Sequence, residues 1–156
     1  MKKIRIGLTS FTCDEGCSIA FLEVLNKKFA DWEKTIDITY SRILRGKNEL
    51  KNIDIMFVEG SVSTQREVDR LKEIRKNTKK LVAIGTCAVN GSPSNIRNFL
   101  SKEKLDEIKP ILKKFKYRDK VTGLNDVVKV DDIVPGCPMD EEKFIALVEK
   151  YIKELK

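Results

Sequence analysis

The sequence predicts an α/β fold, an open and mostly parallel sheet covered by helices on both faces. Three observations carry this. Segments of alternating apolar residues take turns along the chain with segments of helical apolar spacing. Two strand-like segments, Ile53–Val58 and Leu81–Ile84, are nearly continuous apolar runs, as strands buried on both faces are. The length, 156 residues, suits one domain that buries about 70% of its unfolded surface.

Each element follows from its pattern. Lys2–Ser10 alternates, with Ile4, Ile6 and Leu8 on one face, and makes a first strand. Ser18–Ala30 places Ile19, Leu22, Leu25 and Phe29 at helical spacing. Thr35–Leu44 is β-branched and alternating, a second strand; Ile53–Val58 is the third. Ser61–Asn77 carries Val62, Val68, Leu71 and Ile74 on one helical face, with Ser61 or Ser63 as N-cap. Lys80–Gly85 is a fourth strand, and Val89–Ser94 has turn chemistry. Ile96–Leu100 and Leu105–Phe115 read as helix, interrupted at Pro110. Val127–Val130 is a short fifth strand, and Pro135-Gly-Cys-Pro is a rigid turn. Asp140–Leu155 closes the chain as an amphipathic helix bearing Phe144, Leu147, Val148, Tyr151, Ile152 and Leu155. The expected strand order is 2-1-3-4-5, a flavodoxin-like doubly wound sheet in a single domain, residues 1–156. No repeat, low-complexity segment or linker interrupts it.

Composition excludes several chemistries. The chain has no histidine and four cysteines. It therefore contains no Ser-His-Asp triad, Cys-His dyad, His-ligated zinc or His general base. Metal must be held by thiolate or carboxylate, and demanding chemistry must come from a cofactor or partner. With 31 Lys and Arg against 24 Asp and Glu, the net charge is +7. Cations gather between Lys102 and Lys120 and between Arg70 and Lys80. Such runs suit a nucleic-acid face, an acidic protein partner or plain solvated helix faces. Interleaved acids (Glu103, Asp106, Glu107, Asp119) and few stacking aromatics favour solvated faces over nucleic acid.

No apolar run approaches the roughly 18 residues of a membrane span. The opening Met1-Lys-Lys-Ile-Arg resembles a signal sequence, but Arg5 breaks its apolar stretch, so a buried strand explains it better. A cytoplasmic chain, or one peripheral to a membrane complex, is expected. Cysteines there serve metal or redox chemistry more often than disulfides.

The cysteines fall in a telling pattern. Cys13 and Cys17 follow the first strand, Cys87 follows the fourth and Cys137 the fifth. All four lie at the carboxyl ends of parallel strands, the edge where ligands bind in this class. Gly16, Gly85, Gly91 and Gly136 permit tight turns beside them, and Pro135 and Pro138 stiffen the last loop. Cys17 directly precedes a helix, whose dipole is expected to favour thiolate. Four readings are open: buried structural thiols, a four-cysteine zinc site, a redox thiol pair and an iron–sulfur cluster. Gly- and Pro-rich loops weigh against the first. The single local pair weighs against zinc, and its C-x-x-x-C spacing against a redox pair.

Four segments carry a resemblance: Cys13-Asp-Glu-Gly-Cys17, Val58-Glu59-Gly60-Ser61, Gly85-Thr86-Cys87-Ala88 and Val134-Pro135-Gly136-Cys137-Pro138. In this order they resemble the small subunits of NiFe hydrogenases and a related iron–sulfur subunit of respiratory complex I. Glu59-Gly60-Ser61 and the separated cysteine pair are more similar to the hydrogenase branch. The resemblance implies a flavodoxin-like domain with one 4Fe–4S cluster, held by Cys13, Cys17, Cys87 and Cys137, beside a NiFe-hydrogenase-like large subunit. A further iron–sulfur or flavin subunit would complete the electron path. Glu59, Gly60, Ser61, Gly16, Thr86 and Gly136 would lie near the cluster or the large-subunit interface. Read without the resemblance, Glu59 is a solvated loop acid or an acid at the start of the second helix. The first pair departs from the family's C-x-x-C, and Met139 stands where a second proline is common. With no cysteine to spare, the expectation is a short form lacking a second cluster domain. Two alternatives remain: a flavodoxin-like FMN carrier, although Thr9-Ser10-Phe11-Thr12 is a weak phosphate loop, and a zinc-stabilised basic binding protein.

Overall fold

The computed structural model describes residues 3–155. Lys2, expected in the first strand, and Met1 of the signal-like opening lie outside them. A five-stranded parallel sheet is built from β1 (Ile4–Ser10), β2 (Ile36–Ser41), β3 (Ile53–Glu59), β5 (Thr78–Ile84) and β7 (Asp132–Val134), in the order β2-β1-β3-β5-β7. Counted within that sheet alone, this is the expected 2-1-3-4-5. A separate antiparallel ribbon pairs β4 (Val62–Thr64) with β6 (Tyr117–Thr122).

The core divides by the period-2 alternation of the strands. In β3, Ile55 and Phe57 join Phe21 and Val24 of α1 (Gly16–Trp32) and Phe144 and Val148 of α5 (Glu141–Leu155) on one face. Met56 and Val58 join Val68, Leu71 and Ile74 of α2 (Gln65–Lys76) on the other. Phe57 and Phe144, with ring centroids 4.8 Å apart, tie α5 to the sheet.

Several boundaries differ from the sequence reading, each for a local reason. The second strand ends at Ser41, not Leu44. The second helix does not start at Ser61 or Ser63: residues 62–64 pair with β6, and Thr64 is the N-cap. Its hydroxyl accepts from the Glu67 N–H while the Glu67 carboxylate accepts from the Thr64 N–H, a full capping box. Cys87 lies not in a loop but in a short helix, α3 (Thr86–Asn90), closed by Gly91 at φ 85°. Ser94–Phe99 forms a 3₁₀ helix rather than an α-helix. Pro110 does not interrupt the next helix, α4 (Lys102–Lys114). It is exposed, so the carbonyl it leaves without a donor can be hydrated.

The fifth sheet strand is Asp132–Val134, not Val127–Val130. The valines instead pack, half-buried, on the α2 side of the core. Two aspartates, poor strand formers, are held at the entry by partners. Asp131 accepts from the Leu81 N–H at 2.8 Å and pairs with Arg75 at 3.2 Å. Asp132 accepts from the Tyr151 hydroxyl.

Candidate functional site

Two staples assemble the rim at the carboxyl ends of the strands. The loop after β1 is bound to the loop after β3. Phe11 N–H donates to the Glu59 carbonyl at 3.0 Å, and Thr12 and Ser61 exchange backbone hydrogen bonds of 3.2 and 2.9 Å. Gly60, at φ 89°, allows this approach, because a Cβ there would stand 2.8 Å from the Phe11 backbone. Similarly, the loop after β5 is bound to the loop after β7. Gly85 N–H donates to Val134 and Thr86 N–H to Gly136, both at 2.8 Å. The first staple positions Cys13 and Cys17, the second Cys87 and Cys137.

The extra residue between the first two cysteines is absorbed in a turn. The Asp14 carboxylate accepts from the Gly16 N–H at 3.1 Å, and Glu15 takes a left-handed conformation at φ 63°. Cys13 is left half-buried outside α1, while Cys17 is buried in its first turn. Cys87 is half-buried and Cys137 exposed, and all four thiols are free. Among the described residues, no three Cys, Asp or Glu side chains are gathered closely enough to hold a single metal ion.

Gly85 lies between two of the sulfurs. A Cβ at this position would stand 2.6 Å from the Cys17 sulfur and 3.6 Å from that of Cys87. The missing side chain is thus a cradle that only glycine leaves open. Backbone groups also face the sulfurs: that of Glu15 faces Cys13, that of Met139 faces Cys17, and those of Gly60 and Ala88 face Cys87. Such donors hold a thiolate-ligated anionic cluster without a protein cation. On donor type, number and space, the residues fit an iron–sulfur cluster.

Burial corrects one expectation. Burial pushes the Cys13 and Cys17 thiols up to about 12, and the Glu59 carboxylate adds to both. Burial raises Cys87 as well. The start of α1 therefore does not leave Cys17 a free thiolate: the helix end is already occupied by a buried anion. A metal bound through these thiols would have to displace their protons.

That anion is Glu59, at the end of β3 and only 1% exposed. It is neither a solvated loop acid nor an acid of the second helix. Its Oε2 accepts from the Cys17 and Ser18 N–H groups at 3.1 and 3.2 Å, and its Oε1 from the Ser18 hydroxyl. Burial raises its pKa, and these donors partly offset the rise. Glu15, the residue at the α1 N-cap position, makes no side-chain cap. Glu59 caps the helix from another strand and fixes the backbone of Cys17. No local pattern signals such a cap.

Residues 13–151 match the protein family described as NADH ubiquinone oxidoreductase, 20 Kd subunit. The chain belongs to this family, which includes the small subunits of NiFe hydrogenases. Across 94% of its length it is 32% identical to sulfhydrogenase 2 subunit delta of Pyrococcus furiosus, covering 61% of that protein. It is 28% identical to a subunit of the F420-non-reducing hydrogenase vhu of Methanococcus voltae, over 98% of this chain and 59% of the other. It is 26% identical to the NAD-reducing hydrogenase HoxS subunit delta of Cupriavidus necator, over 96% and 79%. The chain thus spans about three-fifths of the first two relatives. Its fold superposes on a chain of an NAD+-reducing [NiFe]-hydrogenase with a TM-score of 0.82 at 24% identity, covering 98% of this chain and 93% of that one. Among the described residues, no helix is long and apolar enough to cross a membrane.

Proposed function

We propose that this chain is an electron-transfer subunit that holds one 4Fe–4S cluster through Cys13, Cys17, Cys87 and Cys137, beside a NiFe-hydrogenase-like large subunit. The observation that carries the reading is Gly85, where a Cβ would stand 2.6 Å from the Cys17 sulfur and 3.6 Å from that of Cys87, while Cys13 and Cys137 lie on neighbouring loops at the same carboxyl edge of the sheet. Membership in the small-subunit family and the hydrogenase names of the relatives support the partner.

A bound cluster supplies one-electron transfer. The chain's part is to hold and tune it. Cys17, anchored by Glu59, is the rigid ligand. Cys13 and Cys137, on neighbouring loops, would complete the ligand set. Buried Ala88 and Met139 keep water from the inner side, and backbone donors lower the cost of the negative charge. Hydrogen chemistry belongs to the partner.

The test is anaerobic purification, alone and with a coexpressed large subunit. The expected protein is brown, with about four iron atoms per chain and an EPR signal on reduction. Serine at Cys87 or Cys137 should abolish or convert the cluster. Unchanged iron in both variants, or a colourless protein with one zinc, overturns the assignment.

A further inference from the structure

A groove of about 930 Å³ opens beside the rim, between the ends of β1 and β2, the first turns of α2 and the turn joining α4 to β6. Arg42, Arg66 and Lys116 border it. All three are exposed, and none has an ion-pair partner among the described residues. Three acids also line it, of which, among the described residues, only Glu73 is ion-paired, with Arg70. Glu67 serves the α2 cap and accepts from the Thr12 hydroxyl at 2.9 Å, Asp69 accepts from Gln65 at 3.0 Å, and Glu73 pairs with Arg70. With Arg70, four cations face three carboxylates, so the lining carries one positive charge in excess.

The groove also has an apolar element and a link to the cysteines. Phe115 is 60% exposed, at the end of a helix with no buried residue. Lys116 follows it in a left-handed conformation at φ 56°. Phe11 forms part of the opposite wall, and its carbonyl accepts from the Cys13 thiol at 3.7 Å. The groove wall and the site thus share a residue.

We propose that this groove docks the protein that exchanges electrons with the cysteine rim, a one-electron carrier whose face has carboxylates around an apolar centre. Unpaired cations around an exposed aromatic are complementary to such a face, and they steer it to the Cys13 side. One electron passes, the donor is oxidised as the carrier is reduced, and no bond or proton moves. The redox part of this inference rests on the cluster reading above.

The experiment uses the full chain purified anaerobically, with an acidic 2Fe–2S ferredoxin as probe and a basic cytochrome c as control. Ferredoxin should bind at low salt and release as ionic strength rises towards about 0.5 M, where the screening length is a few ångströms. Cytochrome c should not bind. The combined Arg42→Glu, Arg66→Glu and Lys116→Glu variant should lose at least tenfold in affinity and most of its salt dependence, with iron content unchanged. Phe115→Ser should weaken binding at every salt concentration. Electron-transfer rates to ferredoxin should fall in parallel. Ferredoxin affinity unchanged in the triple variant overturns the proposal. So does a duplex DNA that competes through the same cations and binds more tightly. A chain without iron that still binds ferredoxin through the groove overturns the cluster reading but not the docking surface. Iron with no ferredoxin binding does the reverse.

Discussion

Replacing Glu59 by alanine leaves the backbone N–H groups of Cys17 and Ser18 buried at the start of α1 with no acceptor. Each unpaired buried donor costs about 1–3 kcal/mol, so Glu59→Ala should lower stability by about 3 kcal/mol in urea unfolding. Glu59→Gln keeps one acceptor oxygen and should lose less than half as much. Equal losses in both would assign the effect to the charge instead. Tyr151 offers a second test at this scale. Burial first, and then the Asp132 acceptor, hold its phenol above the ordinary value of 10. The folded chain then keeps a proton that the unfolded chain releases. Stability should fall as pH rises past about 10, with a limiting slope of about 1.4 kcal/mol per pH unit. Below the unfolded pKa this contribution is complete. Tyr151→Phe removes that part of the slope, so the wild-type curve, measured by urea unfolding across this range, should be the steeper. Parallel curves would show the phenol to be unperturbed.

Elements built on their own pattern were legible, and those built on partners were not. Ile53–Val58 announces a central strand by apolar continuity alone, and α5 announces itself by its stripe of Phe144, Val148 and Tyr151. Asp132–Val134 does neither, because two aspartates, Asp131 and Asp132, stand at its entry, and Leu81, Arg75, Lys150 and Tyr151, all distant in sequence, make them tolerable. The ribbon of β4 and β6 joins residues about 55 positions apart, which no local window can reveal. The start of α2 was readable, however, since Thr64-Gln-Arg-Glu67 is a capping box in plain sequence. It was masked by Ser61 and Ser63, which are also good cap residues. Thr64→Ala should therefore cost about 1 kcal/mol by urea unfolding. Ser63→Ala should cost little, its buried hydroxyl having no partner to lose. A larger loss at Ser63 would reassign the cap.

At the scale of the whole molecule, sheet topology is what brings the loops that carry four cysteines, up to 124 residues apart, to one edge. That much was legible, because parallel strands share one carboxyl edge. The anchoring was not, since Glu59 and Gly85 act across loops that only the folded chain brings together. If the proposed cluster is present, the division predicts how the protein answers to its loss. Both core layers are filled by apolar side chains with no cysteine but Cys17 among them, so the sheet has its own source of stability. The rim loops are held to one another by two or three backbone bonds per staple, and a cluster bound only by the folded state would stabilise them further. Removing iron with a chelator under reducing conditions should lower the melting temperature and strip amide-exchange protection from residues 11–17, 85–90 and 134–139. Amides of Ile55–Val58 should stay protected in both states, at the global end of the stability range. Loss of protection throughout β3 would mean that the sheet itself depends on metal. Unchanged protection at the rim would remove the cysteines from the metal site.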